Sequence, residues 1–201
     1  MKIALTGASS TGKTTLAKSL MKEIDFHRQV DDFLTTNARG LLERMGHKSM
    51  DSMQRDELLK FQREYLAHKQ QMEEGRDRYL TDRSFVDVAA YWLRRDAIEL
   101  DPEQQAEVVD VCRVAARRYD LHVYCPFGVV EFTSDGYRSE DLRHHREIGE
   151  QIASFLSEWG VRSITLDTAD HEDRVARVLA EVRVLSAVQG LSDAADTLVH
   201  Q

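Results

Sequence analysis

Apolar residues recur along the chain in two alternating patterns. Short apolar runs predict buried strands over 2–6, 78–82, 121–125 and 161–166, and a further strand is expected over 26–33 despite its charges. Between the runs, apolar residues three or four positions apart predict amphipathic helices, the first of them marked by Leu16, Leu20 and Ile24. Strands that alternate with helices predict an α/β fold with a five-stranded parallel sheet in three layers, helices covering both faces.

Capping residues indicate where several of these helices begin. Asp101 followed by Pro102 is typical of an N-cap and a first helical position. Ser139 is expected to cap a later helix, which carries Ile148 and Ile152 on one apolar stripe. No repeat or long linker interrupts the pattern, so we expect one domain over 1–187 and a C-terminal tail over 188–201.

Composition narrows the classes of function. The 201 residues carry 27 Lys and Arg against 35 Asp and Glu, a net charge of −8, which disfavours a protein whose main role is to coat DNA. The two cysteines, Cys112 and Cys125, match no zinc or redox spacing and are expected to be buried, reduced thiols. No apolar run approaches the length of a membrane span, and the first is too short for a signal peptide. We therefore expect a cytoplasmic protein.

A phosphate-binding loop follows the first predicted strand. The segment 7–14, GASSTGKT, matches the pattern G-x-x-x-x-G-K-[ST] in full, with an apolar strand before it and a helix after it. Glycines permit the tight turn, backbone N–H groups surround the phosphates, and the helix dipole adds positive potential. The residues expected to hold ATP are Gly7, Ser9, Ser10, Thr11, Gly12, Lys13, Thr14 and Thr15, with Lys13 at the β- and γ-phosphates and Thr14 on Mg²⁺.

The next candidates follow the predicted strand over 78–82. Asp82 stands at its carboxyl end, where a second Mg²⁺-associated carboxylate is expected. Many hydrolysing motors place Glu directly after this acid to orient water, whereas here Arg83 follows and favours phosphoryl transfer. The competing interpretation is a helix N-cap, Ser84, beside a surface ion pair.

Two adjacent acids are candidates for proton transfer and substrate binding. Asp31 and Asp32 would follow the expected second strand, so Asp32 is a candidate to accept the proton of a substrate hydroxyl and Asp31 to bind substrate. A solvated turn is the alternative for this acidic pair. Arg39, one or two helical turns further, is a candidate to hold an anionic substrate group.

A lid is expected over about 133–147. Its polar segment contains Arg138, and Arg143 and Arg146 follow at about one-turn spacing, which would bring positive charge over the phosphates and exclude water. Arg138 is the candidate for catalysis and Arg143 for binding the nucleotide. An ordinary solvated helix with Arg–Glu pairs is the alternative. His144 and His145 are expected to face solvent.

These motifs together resemble a known family. GASSTGKTT, LTDRSFVDVAAYW and DGYRSED look like the AAA-type P-loop kinases, a group that includes the ribosylnicotinamide kinase domain and phage nucleotide kinases. The resemblance implies Asp82 and Arg83 at the reaction centre, Asp87 near the substrate, and Arg138 with Arg143 in the lid. One departure concerns the general base: many such kinases carry Glu-x-x-Arg after strand two, whereas this chain has Thr36-Asn37-Ala38-Arg39, so Asp32 or Asp82 must serve.

The leading hypothesis is a kinase that uses ATP and Mg²⁺ to phosphorylate a hydroxyl of a nucleoside- or nucleotide-like small molecule. A variant would phosphorylate a hydroxymethylated pyrimidine in DNA, as 5-hydroxymethyluracil DNA kinases do. An ATPase or nucleotide-driven switch is the alternative from another class, although no Asn-Lys-x-Asp guanine motif is present. The sequence indicates no membrane partner and no particular oligomeric state.

Overall fold

Five parallel strands form the centre of the computed structural model, which describes residues 1–48, 50–96, 99–133 and 141–199. They are β1 (Lys2–Thr6), β2 (Asp32–Thr35), β3 (Tyr79–Asp82), β4 (Leu121–Tyr124) and β5 (Ser163–Thr165), in the spatial order β2-β3-β1-β4-β5. In β1, Leu5 lies opposite Asp82 of β3, and Thr6 lies opposite Tyr124 of β4. The carboxyl ends of these strands therefore meet at one edge of the sheet.

Helices connect the strands in the order expected for parallel crossovers. They are α1 (Lys13–Leu20), α2 (Ile24–His27), α3 (Ala38–Arg44), α4 (Arg55–Glu73), α5 (Phe85–Tyr91), α6 (Pro102–Ala116), α7 (Leu142–Glu158) and α8 (His171–Val199). A 3₁₀ turn (Met50–Ser52) precedes α4, and a π-helical turn (Trp92–Asp96) continues α5. Asp101 caps α6 as expected, since its side chain accepts a hydrogen bond from the Gln104 N–H.

The sheet separates two apolar cores, because successive side chains of a strand point to opposite faces. Ile3 and Leu5 of β1 pack in one core with side chains of α1 and α8. Ala4, between them, packs in the other core with side chains of α4, α5, α6 and α7. The α/β three-layer prediction, with helices on both faces, is therefore confirmed.

The prediction for the second strand is wrong. Residues within 26–33 form the end of α2, a turn and only the first two residues of β2. Phe26 and Val30 are fully buried, but they pack as a helix and its following turn. The strand begins at Asp32, so Asp31 and Asp32 stand at its amino end, not its carboxyl end.

The expected start of α7 also needs correction. Its N-cap is Asp141, whose carboxylate accepts hydrogen bonds from the N–H groups of Arg143 and His144. Ser139, the expected cap, lies outside the described residues. The charge of Asp141 at the first turn complements the helix dipole, which a serine hydroxyl does less well.

The last helix, α8, continues through residue 187, so the backbone shows no break at the start of the expected tail. The division into a domain over 1–187 and a tail over 188–201 stays a prediction. Among the described residues, no helix combines the length and the apolar character that crossing a membrane requires.

Candidate active site

The phosphate-binding loop joins β1 to α1 at the carboxyl edge of the sheet. Two of its glycines are required by geometry: Gly7 has φ 147° and Gly12 has φ 77°. A Cβ on Gly7 would lie 2.3 Å from the carbonyl oxygen of Cys125, and one on Gly12 would lie 2.7 Å from Arg174 Nη1. The loop therefore packs against the strand that ends before Cys125 too closely for a side chain at Gly7, and the left-handed backbone of Gly12 would strain any other residue.

Lys13 bends back over this loop. Its ammonium donates to the carbonyl oxygen of Ala8 at 2.6 Å and to Thr11 Oγ1 at 3.2 Å. Burial lowers the pKa of Lys13, and the charge of Arg83 lowers it further. An anion in the loop would oppose both effects. The free N–H groups of the first turn of α1 point to the same place, so the loop fits the phosphates of a nucleotide.

A hydroxyl and a carboxylate meet beside the loop. Thr14 Oγ1 donates to Asp82 Oδ2 at 2.5 Å. Hard oxygen donors of this kind suit Mg²⁺, which completes its octahedron with water and phosphate oxygens. The pair therefore fits the Mg²⁺ expected from the sequence, which Thr14 and Asp82 would hold.

Arg83 lies beside the loop, directly after β3. Its backbone has φ 80°, a left-handed conformation that a non-glycine residue adopts at a cost of roughly 1–2 kcal/mol. The guanidinium donates to Ser9 Oγ at 3.1 Å and lies 4.9 Å from the centre of the Tyr91 ring. The unusual backbone thus aims a fixed positive charge at the loop.

Asp87 anchors the loop and has no exposed surface. Its carboxylate accepts from Thr6 Oγ1 at 2.5 Å, from the Gly7 N–H at 3.0 Å, and from the N–H and hydroxyl of Ser84 at 2.8 and 2.9 Å. Substrate binding by this carboxylate, which the family resemblance implies, would require it to release the loop. Asp87 therefore positions the loop in this structure, and its role in substrate binding stays a prediction.

Lys69 of α4 supports Arg83 from below, although the sequence analysis did not select it. Its fully buried ammonium donates to the Arg83 carbonyl oxygen at 2.7 Å, to Thr81 Oγ1 at 3.1 Å and to Glu73 Oε1 at 2.5 Å. Glu73 also accepts from the hydroxyls of Tyr79 and Tyr119, at 3.1 and 2.9 Å. This buried network holds the carbonyl of the strained residue.

We expect Lys69→Met to lower both stability and activity. The buried Glu73 would lose its countercharge, which typically costs about 3–5 kcal/mol in the free energy of unfolding, and Arg83 would lose its support. Chemical denaturation and kcat measure the two effects. Lys60→Met, on the exposed face of α4, is the matched control.

A double variant separates the two roles of Lys69. Lys69→Met with Glu73→Gln removes both buried charges and should recover part of the stability, while kcat stays low because the Arg83 carbonyl remains unsupported. Full recovery of kcat together with stability would show that Lys69 acts on folding alone.

A cavity of about 650 Å³ opens from the loop toward the end of β2. His144 and His145 line it, and His145 is only 2% exposed, so the expectation that both face solvent is wrong. The buried face of α7 extends beyond Ile148 and Ile152, so that His144 and His145 lie toward the cavity. The lining comprises Ser9, Thr14, Thr35, Thr36, Asn37, Ala38, Arg39, Leu42, Met50, Phe61, Gln62, Tyr65, Asp82, Arg83, Asp87, Val88, Tyr91, Arg95, His144 and His145.

Asp31 and Asp32 lie elsewhere. Asp32 pairs with Arg76 at 2.6 Å and Asp31 with Arg78 at 2.8 Å, both exposed at the amino edge of the sheet. In register, Asp32 faces Tyr79, three residues before Asp82, a separation of about 10 Å along the strands. The predicted roles of Asp32 as base and Asp31 as substrate ligand are therefore wrong.

The arginines predicted to contact nucleotide or substrate lie in different surroundings. Arg143 is 84% exposed and donates to Glu147 at 2.9 Å, which matches the alternative of a solvated helix and corrects the nucleotide-binding prediction. Arg138 lies outside the described residues, as does the part of the expected lid over 134–140. Arg39 does line the cavity.

Arg174 of α8 is a second functional candidate that the sequence analysis missed. It is 3% exposed, and its Nη2 donates to the Thr11 carbonyl oxygen at 2.9 Å. It thereby braces the loop from the face opposite Asp87. Ser10 is held from another side, through its hydroxyl to the carbonyl oxygen of Thr133 at 2.9 Å.

The decisive comparison is with protein families, since residues 2–174 match the AAA domain family. The chain belongs to this family. No curated protein matches it significantly. The AAA family expected from the sequence is thus confirmed.

Solved structures with the same fold extend the comparison. NadR in complex with NR has a TM-score of 0.65 at 22% identity, over 92% of this AAA domain chain and 51% of NadR, so the chain spans about half of NadR. Deoxyadenosine kinase from M. mycoides with bound dATP scores 0.63 at 13% identity, over 91% and 100%. Thymidylate kinase from Ehrlichia chaffeensis scores 0.57 at 15% identity, over 90% and 98%.

Proposed function

We propose that this AAA domain protein is a phosphotransferase that moves the γ-phosphoryl group of ATP, with Mg²⁺, to a nucleoside- or nucleotide-like small molecule. The observation that carries the proposal is the continuity of the cavity with the phosphate loop: Ser9, Thr14 and Asp82 line the same space as the residues at its far end. The named kinases among the structural neighbours support the same reaction class.

The residues of the loop have distinct tasks in such a transfer. Lys13 and the amino end of α1 hold the β- and γ-phosphates and offset the charge that develops as the bond breaks. Thr14 and Asp82 would hold Mg²⁺, which neutralises charge on the phosphates when bound. Arg83, fixed against Ser9 and Tyr91, borders the space between the loop and the acceptor.

The structure favours transfer over hydrolysis at this site. The residue after Asp82 is an arginine bound to the loop, where a water-activating motor would carry a carboxylate. The cavity wall beyond Arg83 is built largely from apolar and aromatic groups such as Phe61, Tyr65 and Val88. Such a wall takes up an organic acceptor and excludes water.

The cytoplasmic location remains a prediction.

The experiment offers γ-labelled ATP and Mg²⁺ with nucleosides, nucleoside monophosphates or hydroxymethylated DNA as separate acceptors. We expect label in a small-molecule acceptor and a loss of about 10²–10³-fold in rate for Asp82→Asn. Asp77→Asn, at an exposed position on the surface, is the matched control. If label appears in DNA alone and the rate falls steeply with salt concentration, the acceptor is the hydroxymethylated DNA and not a small molecule. No acceptor labelled would refute the proposed function.

A further inference from the structure

Arginines outnumber carboxylates in the described lining of the cavity. The described lining contains the arginines Arg39, Arg83 and Arg95 and the histidines His144 and His145, against the carboxylates Asp82 and Asp87. We propose that the acceptor presents an anionic phosphate group to Arg39 and Arg95 and is itself a phosphomonoester, of the size and kind of a nucleoside monophosphate. This inference rests on the proposed function and deepens it.

Both carboxylates of the described lining are committed at the donor side. Asp82 accepts from the Thr14 hydroxyl, where Mg²⁺ is expected. Asp87 accepts from Thr6, Gly7 and Ser84 and has no exposed surface. At the far end of the cavity, the described side chains therefore offer cations and neutral groups to the acceptor, and no carboxylate.

This distribution of charge matters because a hydroxyl acceptor and a phosphate acceptor require different groups from the protein. A hydroxyl must lose its proton as it attacks, and a positioned base usually takes that proton. A phosphomonoester has a second pKa of about 6, so its oxygen is already ionised at pH 7 and needs no base. What it needs is positive charge that binds it and offsets its repulsion from the γ-phosphate.

The transfer then balances without a proton. The bond between the γ-phosphorus and the β–γ bridging oxygen breaks, and a bond forms between the γ-phosphorus and an oxygen of the acceptor phosphate. ADP leaves with the bonding electron pair, and the product is a phosphoanhydride.

The arginines reach the cavity from separate elements. Arg39 lies in the first turn of α3, after the carboxyl end of β2, and Arg95 lies in the π-helical turn after α5. The guanidinium carbons of Arg95 and Arg83 lie 5.1 and 4.9 Å from the centre of the Tyr91 ring. Arg94, next to Arg95, is exposed and donates to Gln151, so the turn sends one arginine inward and one outward.

The histidines add to the same environment. His144 lies 6.3 Å from the Tyr91 ring, between centres, and its ring centre is 5.8 Å from that of His145. Burial lowers the pKa of His144, and the charges of Arg95 and His145 lower it further. The lowered pKa leaves His144 a neutral hydrogen-bonding group beside the arginines, whose positive charges a dianionic ligand would offset.

The rest of the wall suits the organic part of the acceptor. Phe61 and Tyr65 of α4 present aromatic rings, and Leu42 and Val88 present apolar side chains. The buried amide of Gln62 donates to the Val88 carbonyl oxygen at 3.0 Å, which fixes its orientation. An aromatic wall with one fixed polar group suits a planar base linked to a phosphate.

The test compares matched acceptors and matched variants. With ATP and Mg²⁺, pooled nucleoside monophosphates and pooled nucleosides are offered separately, and the products are resolved by mass and by ³¹P NMR. We expect phosphoanhydride from the monophosphates. For Arg39→Gln and Arg95→Gln we expect KM for the monophosphate to rise about 10- to 100-fold while KM for ATP is unchanged. Arg44→Gln and Arg94→Gln, on the same elements but outside the cavity lining, should stay within about twofold of the parent.

Calorimetry measures the binding of monophosphates and of nucleosides to variants whose unfolding transition is unchanged. Together with the rates, it distinguishes failure of this inference from failure of the proposed function. Phosphorylation of nucleosides with no reaction of monophosphates would overturn this inference and leave the proposed function intact. Equal binding of monophosphate to the parent and to Arg39→Gln and Arg95→Gln would also overturn it. Absence of any transfer would refute the proposed function, and the inference with it.

Discussion

Lys13→Ala is expected to lower kcat for phosphoryl transfer by about 10²–10³-fold, because in the proposed function Lys13 would place its charge on the β- and γ-phosphates. The ammonium lies inside the loop, on the Ala8 carbonyl oxygen and Thr11 Oγ1, with 6% of the residue exposed. An incoming phosphate can take over these contacts without a change of fold. Initial-rate kinetics with saturating ATP measures the effect.

Lys18→Ala supplies the control, since Lys18 lies on the same helix, α1, and is exposed. It should leave kcat and KM for ATP nearly unchanged. The interpretation of the loop would fail if Lys13→Ala kept parent activity in a correctly folded protein.

Asp87→Ala is expected to lower the free energy of unfolding by about 3–5 kcal/mol. The buried donors of Thr6, Gly7 and Ser84 would lose their common acceptor, and Arg83 Nη1 would lose the carboxylate that lies 3.8 Å away. For a chain of this size, such a loss corresponds to a fall in Tm of roughly 10 °C. Differential scanning calorimetry measures it directly.

Asp110→Ala is the matched control, because Asp110 is an exposed aspartate that pairs with Arg113 on α6. Its effect on Tm should be within a degree or two. A similarly small effect of Asp87→Ala would show that the loop does not depend on this carboxylate.

The elements with strong local signals were predictable from the sequence. The phosphate loop combines a complete motif with an apolar strand before it and a helix after it, and β1, the start of α1 and the cap of α6 lie where these signals place them. The end of the first helix was predicted wrongly, since α1 stops at Leu20 and Ile24, expected on its apolar face, is exposed at the start of α2. Asp82 was predictable because the carboxyl ends of parallel strands meet at one edge.

The second strand was not predictable from its own residues. Only four residues form β2, and one of them, Leu34, is buried, while Phe26 and Val30 supply the apolar signal from α2 and the turn after it. Periodicity over so short a segment does not separate a strand from a helical turn. A strand over 26–33 would place Asp31 and Asp32 at the carboxyl edge of the sheet, whereas they lie at the amino edge. The prediction of Asp32 as the base was wrong for this reason.

Two buried cations carried a signal that the sequence analysis did not use. Lys69 follows Phe61 and Tyr65 at four-residue steps, and Arg174 precedes Val178 at the same step, so each lies on the apolar stripe of its helix. A cation on such a stripe must be paired when buried, and both are paired with the site. The partners come from distant parts of the chain, which local pattern does not reveal.

In the proposed function, the γ-phosphoryl group passes to an acceptor and not to water. The most direct measurement follows γ-labelled ATP in the presence of the acceptor that becomes labelled, and compares label in that acceptor with free phosphate. We expect label in the acceptor to equal the ATP consumed, with free phosphate a minor product. Free phosphate as the sole product, at the same rate with and without acceptor, would contradict it.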